Sequence, residues 1–361
     1  MKPFQLEEYL SNGVDRIVNG ILKASFHDPR GSIFMIQYGG ASKKARKKRE
    51  MAEHQGEHIP PFLIASITEQ CNLRCKGCYA QANQGCGKSP VQLTSGQWGN
   101  IFTQAEELGI GFILLAGGEP FTRRDVLEEA GRHKNILFPV FTNGTMLDEA
   151  YLKLFTSSRN LLPVLSIEGG ESSTDARRGA GVYARLCQSM EMLKEAGVLY
   201  GASVTVTKEN LREVTSEEFL KNLVNYGCKA VVYVEYVPVD KGMIHLAPGD
   251  EERDYLDQRL KVLRQEQEEL LFISFPGDEK TSGGCLAAGR GFFHINAAGG
   301  AEPCPFSPHS DTSLLHTTLR EALHSPLFLR LQSDGLLLNE HVGGCVLFEQ
   351  EQQVKEYLLE E

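Results

Sequence analysis

From Pro60 onward, short apolar runs alternate with amphipathic stretches. Phe62–Ser66 is the first run and is strand-sized. Thr94, followed three residues later by Gln97, reads as a capping box. Behind it Trp98, Ile101, Phe102, Ala105 and Leu108 recur at helical spacing. Gly109 and Gly111 end that helix, and Phe112–Ala116 is the next strand. The pattern predicts a helix near Asp125–His133, a strand at Phe138–Thr142, a helix at Asp148–Ser157 and a strand at Leu161–Ile167. Tyr183, Leu186, Met190 and Leu193 mark another helix. A strand at Tyr200–Val206, a helix at Glu217–Tyr226 and a strand at Ala230–Val237 complete the series. Strands alternating with helices imply βαβ units around a parallel sheet. Repeats of this number predict an α/β fold built as an open or partial (β/α)6 barrel.

The flanks read differently. Residues 1–60 are a helical, polar lead-in in which Lys43, Lys44, Arg46, Lys47, Lys48 and Arg49 place six cations in seven positions. With Glu50 and Glu53 beside them, they read as the solvated face of a helix; a landing patch for an acidic partner is the alternative. The charged, helix-like segment 251–270 crosses the outside. After Phe275-Pro276-Gly277-Asp278 the rhythm stops. Glycines, cysteines and a hairpin signal, Phe292–Asn296 followed by Ala297-Ala298-Gly299-Gly300, replace it. These changes divide the chain into a lead-in (1–60), a barrel (61–275) and a small α+β extension (276–361).

Composition narrows the function classes. The 361 residues carry 37 Lys and Arg against 47 Asp and Glu, a net charge of −10. This acidic balance argues against broad electrostatic binding to nucleic acid. No apolar run approaches the ~18 residues that span a bilayer, and the first residues lack the apolar stretch of a secretory signal. A cytoplasmic protein with no membrane partner is expected.

Nine cysteines change the picture most. A chain of this size needs no disulfide staples, and without an export signal such thiols serve metal binding or catalysis. Cys71, Cys75 and Cys78 fall within eight residues, directly after the first strand. Loops at strand C-termini are where barrel enzymes place their chemistry. Zinc ribbons use paired knuckles with four ligands, whereas this loop offers three thiols and no nearby histidine. Three thiolates on a cube of four irons leave one iron open to an outside ligand.

Cys71-Asn-Leu-Arg-Cys75-Lys-Gly-Cys78-Tyr79, after the first strand of a partial barrel, resembles the radical S-adenosylmethionine (SAM) superfamily. The resemblance implies that a 4Fe–4S cluster on these cysteines binds the amino and carboxylate groups of SAM. The reduced cluster then cleaves SAM to methionine and a 5′-deoxyadenosyl radical, which takes a substrate hydrogen. Gly117-Gly118-Glu119-Pro120 follows the second strand, where the family keeps its GGE motif. Glycines permit close approach of backbone to a ligand, and Glu119 can bind a cationic amine, by resemblance that of SAM. Ser166-Ile-Glu168-Gly169 stands where relatives often have Ser-x-Asp-Gly, so Ser166 and Glu168 are candidates for the SAM ribose or carboxylate. Glu168 is one methylene longer than the usual Asp, which leaves its role less defined. Arg178, before Gly179 and Gly181-Val182-Tyr183, matches an arginine that meets the SAM carboxylate; a surface arginine is the plain alternative. Asn143 in Thr142-Asn143-Gly144-Thr145 is equally a turn residue. Ser203 and Thr205 face SAM or the core, Asn210 is a weaker candidate, and Tyr79 lies by the adenine or packs.

Cys285, Cys304 and Cys345 sit in glycine- or proline-rich settings. Cys285-x13-Gly299-x4-Cys304, the hairpin, and Leu319–Leu323 before Ser325-Pro326 resemble the SPASM/Twitch extension. The dense middle cysteines of a full SPASM domain are missing. One auxiliary 4Fe–4S cluster is implied, with a fourth site open to solvent, substrate or a side chain such as His294, His309 or His341. A zinc site or three buried thiols are the alternatives. Cys187 and Cys228 read as small apolar residues, and Cys86 as structural or incidental.

Radical SAM chemistry is therefore the expected activity, oxidative or redox-neutral, with a flavodoxin or ferredoxin as reductant. The substrate is a small molecule, a cofactor precursor or a peptide; residues 1–60 are too short for a separate peptide-recognition domain. Glu235, Tyr236 and Asp240 are rim residues that could meet it. An iron–sulfur electron carrier or metal-dependent binding protein that never cleaves SAM is the competing class.

Overall fold

The computed structural model describes residues 6–24, 29–82, 91–239, 241–279, 283–338 and 345–359. Cys86, Asp240 and His341 lie outside these residues. The sheet strands are β1 (Phe62–Ser66), β2 (Phe112–Ala116), β3 (Phe138–Thr142), β4 (Leu161–Ser166), β5 (Gly201–Val206), β6 (Ala230–Glu235), β7 (Leu271–Phe275), β8 (His294–Ile295), β9 (Gly300–Glu302) and β10 (Thr312–Ser313). They form one sheet in the order β10-β9-β8-β1-β2-β3-β4-β5-β6-β7. From β1 to β7 every neighbour pair is parallel. Among the described residues β7 and β10 are the two edges, so the sheet does not close.

Local chemistry sets the helices that join these strands. Thr94 Oγ1 accepts from Gln97 N at 3.3 Å and Gln97 Oε1 accepts from Thr94 N at 2.8 Å, which closes the capping box. The helix behind it, Ser95–Leu108, buries Trp98, Ile101, Phe102 and Ala105 against the sheet. Asp148 and Ser216 cap the helices Glu149–Ser157 and Glu217–Asn225 in the same way, each accepting from a backbone N–H three residues on.

Alternation along the strands splits the side chains between two environments. Leu63, Leu115, Val140, Leu165, Val204 and Val231 face the helices and are fully or almost fully buried. Ile64, Leu114, Phe141, Val164, Val232 and Ile273 line a common cavity of about 400 Å³ on the other face. One face of seven strands can enclose one cavity only if the sheet curves, as in a partial barrel.

Two corrections concern the ends. Leu271–Phe275 is a seventh parallel strand, paired with β6 from Ala230↔Leu271 to Val234↔Phe275; the six-strand expectation misses it. The lead-in is two helices, Leu6–Ala24 and Pro29–His54, and it has a structural task. Val14, Ile17 and Ile21 line the cavity at the N-terminal ends of the strands, so the first helix is its floor. The cationic run is partly absorbed by packing: Arg46 pairs with Asp15 and Glu50, and buried Arg49 donates to Gly109 O and Ser11 Oγ.

The hairpin of β8 and β9 forms where expected. It also joins the main sheet, since β8 runs parallel to β1 with Ile64↔His294 and Ala65↔Ile295 in register. This places the extension beside the loop that leaves β1.

Candidate active site

Ser66 ends β1, and the following loop brings Cys71, Cys75 and Cys78 to the rim of the cavity at the C-terminal ends of the strands. Burial pushes the Cys71 and Cys75 thiols up, the neighbouring cysteines add to this, and Arg178 pulls Cys75 down. N–H donors face the sulfurs: Leu73 N lies 3.5 Å from Cys71 Sγ, and Asn143 Nδ2 4.0 Å from it. Arg178 Nη1 lies 4.0 Å from Cys75 Sγ. Such donors stabilise thiolates and tune an iron–sulfur potential.

Among the described residues, no three His, Cys, Asp or Glu side chains close tightly enough for a single metal ion. A cube of four irons makes a different demand, because each thiolate binds its own iron. The described cavity lining supplies no histidine and no fourth cysteine. The donor set thus fits a 4Fe–4S cluster with one open iron and does not fit four-ligand zinc.

Gly117 and Gly118 serve the packing of two loops. Gly118 N donates to Thr68 O and Glu119 N to Gln70 O, both at 2.7 Å. Gly117 has φ +127°, and a Cβ on it would overlap Thr68 O; one on Gly118 would overlap Gln70 O. The expected close approach is therefore first to the segment leading into the cysteine loop. Both glycines still line the cavity, whereas Pro120 starts a buried turn and does not.

Glu119 is 1% exposed and receives three donors. Phe121 N (3.0 Å) and Thr142 Oγ1 (2.6 Å) reach Oε1, and Asn143 N (2.7 Å) reaches Oε2. Burial raises its pKa, and these bonds oppose the rise. A carboxylate has about four acceptor positions, so one remains for a donor in the cavity. Thr142 and Asn143 are thus the support of Glu119. Asn143 also donates from Nδ2 to Asn72 Oδ1 at 2.8 Å and lines the cavity itself.

Glu168 does not line the cavity. Its Oε1 accepts from Arg177 Nη1 at 2.7 Å and from Arg178 Nε and Nη2 at 2.9 and 2.5 Å. Oε2 accepts from Thr205 N at 3.2 Å. The extra methylene lets the carboxylate anchor two guanidiniums, which do line the cavity. Arg177 and Arg178, rather than Glu168, are the charged groups of this corner that line the cavity. Asn210 steadies this corner by donating to Glu168 O and Thr205 O. Ser166 and Ser203 share a hydrogen bond of 3.1 Å on the cavity face.

Tyr79 lines the cavity and meets Phe306 edge-on at 5.2 Å between ring centres. Sequence reasoning passes over Arg177, Phe306 and the supporting role of Thr142. Arg177 carries a signal, since two adjacent arginines end the helix Glu171–Arg178. Phe306 carries none, because only the tertiary fold brings the extension to the rim. Glu235 and Tyr236 do line the cavity, with Glu235 ion-paired to Arg253 at 2.7 Å and Arg177 over the Tyr236 ring.

The second cysteine set also converges. Cys304 is buried, and its pKa is raised by that burial and by the neighbouring Cys345 and Cys285. The Cys345 pKa is lowered by Cys304 first and then by the backbone N–H groups of Phe348 and Leu347, against the effect of burial. His294 is not available to this set: Nδ1 faces Glu302 at 2.6 Å and Nε2 faces Ser66 at 2.7 Å. His309 points at Glu351, 3.5 Å away. Cys228 is fully buried, its thiol pushed up to about 12, and half-buried Cys187 packs between Tyr183 and Tyr226.

Comparison with known proteins bears on the family and the fold. Residues 65–220 match the model of the radical SAM superfamily. An AdoMet-dependent heme synthase of Methanosarcina barkeri is 30% identical over 318 residues, covering 79% of this chain and 88% of the relative. The mycofactocin maturase MftC of Mycolicibacterium smegmatis is 24% identical, covering 81% and 76%. Among solved structures, Streptococcus suis SuiB bound to S-adenosylmethionine superposes with a TM-score of 0.68 at 18% identity, over 86% of this chain and 79% of that one.

Proposed function

This chain belongs to the radical SAM superfamily, and from that premise we propose that it cleaves SAM reductively and abstracts hydrogen from a substrate held in the barrel cavity. The observation that carries this reading is the convergence of Cys71, Cys75 and Cys78 with Glu119 and Arg178 on one rim. The 4Fe–4S cluster, when bound, supplies the electron that breaks the SAM sulfonium bond. The residues do the rest. The three cysteines hold the cluster. Glu119 offers its remaining acceptor position to the SAM amine, and Arg178, braced by Glu168, offers its charge to the SAM carboxylate. Ser166 and Ser203 face the ribose. The apolar strand side chains exclude water from the reacting centre.

Cys285, Cys304 and Cys345 hold an auxiliary 4Fe–4S cluster in this reading, within an extension that begins near 276. A flavodoxin or ferredoxin serves as reductant in the cytoplasm. Among substrates, a small molecule or cofactor precursor with an apolar body is favoured over a peptide. The deep apolar cavity supports that choice, as does the match spanning 88% of a heme synthase.

The test is anaerobic reconstitution followed by dithionite and SAM. 5′-Deoxyadenosine forms in the intact chain and not in the Cys71/Cys75/Cys78 triple-alanine variant, which retains about four irons on the second set. An intact, reduced cluster that yields no 5′-deoxyadenosine leaves the electron-carrier reading in its place. Complete loss of iron from a folded triple variant rejects the auxiliary cluster.

A further inference from the structure

Three thiols on a cube of four irons leave the second cysteine set one ligand short, and the side chains first considered for the gap are engaged elsewhere. Both His294 nitrogens have partners, His309 faces Glu351, and His341 lies outside the described residues. Glu302 accepts from Asn296 on one oxygen and faces His294 with the other. Backbone bonds hold the three thiol segments together. Ala288 N, three residues after Cys285, donates to Pro303 O beside Cys304 at 3.0 Å. Cys285 N donates to Leu337 O at 2.8 Å, and the turn Leu336–Leu338 packs on the helix Val346–Glu349 that follows Cys345. Cys304-Pro305-Phe306-Ser307 is a tight turn in which Ser307 N donates to Cys304 O at 2.9 Å, and its two end residues pair as an antiparallel bridge. Directly opposed residues of such a pair hold their side chains on one face, with Cβ atoms about 5 Å apart. Ser307 therefore presents its hydroxyl on the same face as the Cys304 thiol. Ser307 is 1% exposed, yet its Oγ has no hydrogen-bond partner among the described residues. A buried hydroxyl left without a partner is destabilising, so its partner is expected from what the site holds.

We propose that Ser307 Oγ is the fourth protein ligand of the auxiliary cluster, so that none of its irons is left open to a substrate. The inference rests on the auxiliary-cluster reading above. The Ser307 proton leaves to solvent as the oxygen–iron bond forms, as the thiol protons do. Oxygen is a harder donor than sulfur. An alkoxide in place of a thiolate therefore favours the oxidised cluster and lowers its potential. The two thiol sets then differ in kind. Cys71, Cys75 and Cys78 leave a place for an outside ligand, whereas Cys285, Cys304, Cys345 and Ser307 close theirs. The extension meets the substrate cavity through Pro305 and Phe306, the two central residues of the turn, and not through an open iron.

The experiment uses the full-length Cys71/Cys75/Cys78 triple-alanine variant, reconstituted anaerobically, in which the auxiliary cluster alone remains. Cyanide, a small ligand for an open iron, is added to the reduced chain and followed by electron paramagnetic resonance. With Ser307 in place, cyanide leaves the spectrum unchanged. Ser307→Ala makes the cluster responsive to cyanide, or releases one iron so that about three of the four remain. Ser307→Cys keeps about four irons, ignores cyanide and raises the midpoint potential, because a thiolate replaces the alkoxide. It decides the matter if Ser307→Ala holds no iron. Circular dichroism checks the folding of each variant. A spectrum that shifts with cyanide while Ser307 is present overturns the inference. So does a Ser307→Ala cluster that keeps four irons and ignores cyanide, or a Ser307→Cys cluster with an unchanged potential. Absence of all iron from the folded chain with Ser307 present removes the auxiliary-cluster reading and the inference with it, and leaves the SAM reading intact.

Discussion

Glu168 gathers two guanidiniums and one backbone N–H on a side chain that is 2% exposed. Removing one partner from a buried ion pair leaves the other charges uncompensated. Glu168→Gln is therefore expected to lower stability by about 3–5 kcal/mol, read by urea unfolding, and to weaken SAM binding through the freed Arg178. A loss within ~0.5 kcal/mol, the range of ordinary surface substitutions, would contradict the anchoring role. A second prediction concerns pH. Burial holds the His309 imidazole below its ordinary 6.5. A base with a depressed folded pKa binds fewer protons in the native chain than in the unfolded one. Its contribution is full above about pH 6.5 and is lost as pH falls through the lower folded value. His309→Gln should flatten the acid limb of the stability curve below about pH 6.5; an unchanged limb would contradict it. The candidate residues are legible as chemistry: cysteines in a loop, a carboxylate after paired glycines, an arginine closing a helix. Their partners are not. That Glu168 braces arginines and His294 lies between Ser66 and Glu302 depends on contacts 8 to 228 positions apart.

At the scale of elements, apolar runs and helix caps predict β1 to β6 with boundaries that match or differ by one or two residues. β7 escapes although Leu270–Phe275 is an apolar run closed by Pro276-Gly277 and as strand-like locally as β1, because it follows a long charged helix beyond the regular series of strands and helices. Its evidence is its register with β6. The pairing of β8 with β1 escapes for a similar reason, since parallel partners are chosen by tertiary packing. That pairing has only two residue pairs, so the extension relies on its core to stay docked. Phe293 is fully buried and packs edge-on against Phe328 at 5.5 Å. Phe293→Ala should cost about 3–5 kcal/mol and speed the reaction of Cys304 with a thiol reagent in the metal-free chain. Cys228, inside the barrel, should stay protected. Equal acceleration of both thiols would mean that the extension does not open separately.

On the scale of the molecule, the parts form one enclosure. The first helix closes the cavity at one end, the cysteine loop and Gly117–Glu119 line the other, and Pro305 and Phe306 complete the rim from the extension. Tyr79 lies within electrostatic reach of both Cys78 and Cys304. Among the described residues no helix is long and apolar enough to cross a membrane. The central claim is that Cys71, Cys75 and Cys78 hold a cluster whose open iron takes SAM. Electron paramagnetic resonance of the dithionite-reduced chain, with and without SAM, tests it directly. SAM should change the cluster signal in the wild-type chain and in the Cys285/Cys304/Cys345 triple-alanine variant. It should change nothing in the Cys71/Cys75/Cys78 variant. A SAM-dependent change that survives loss of Cys71, Cys75 and Cys78, or none in an intact reduced wild-type chain, would contradict the account.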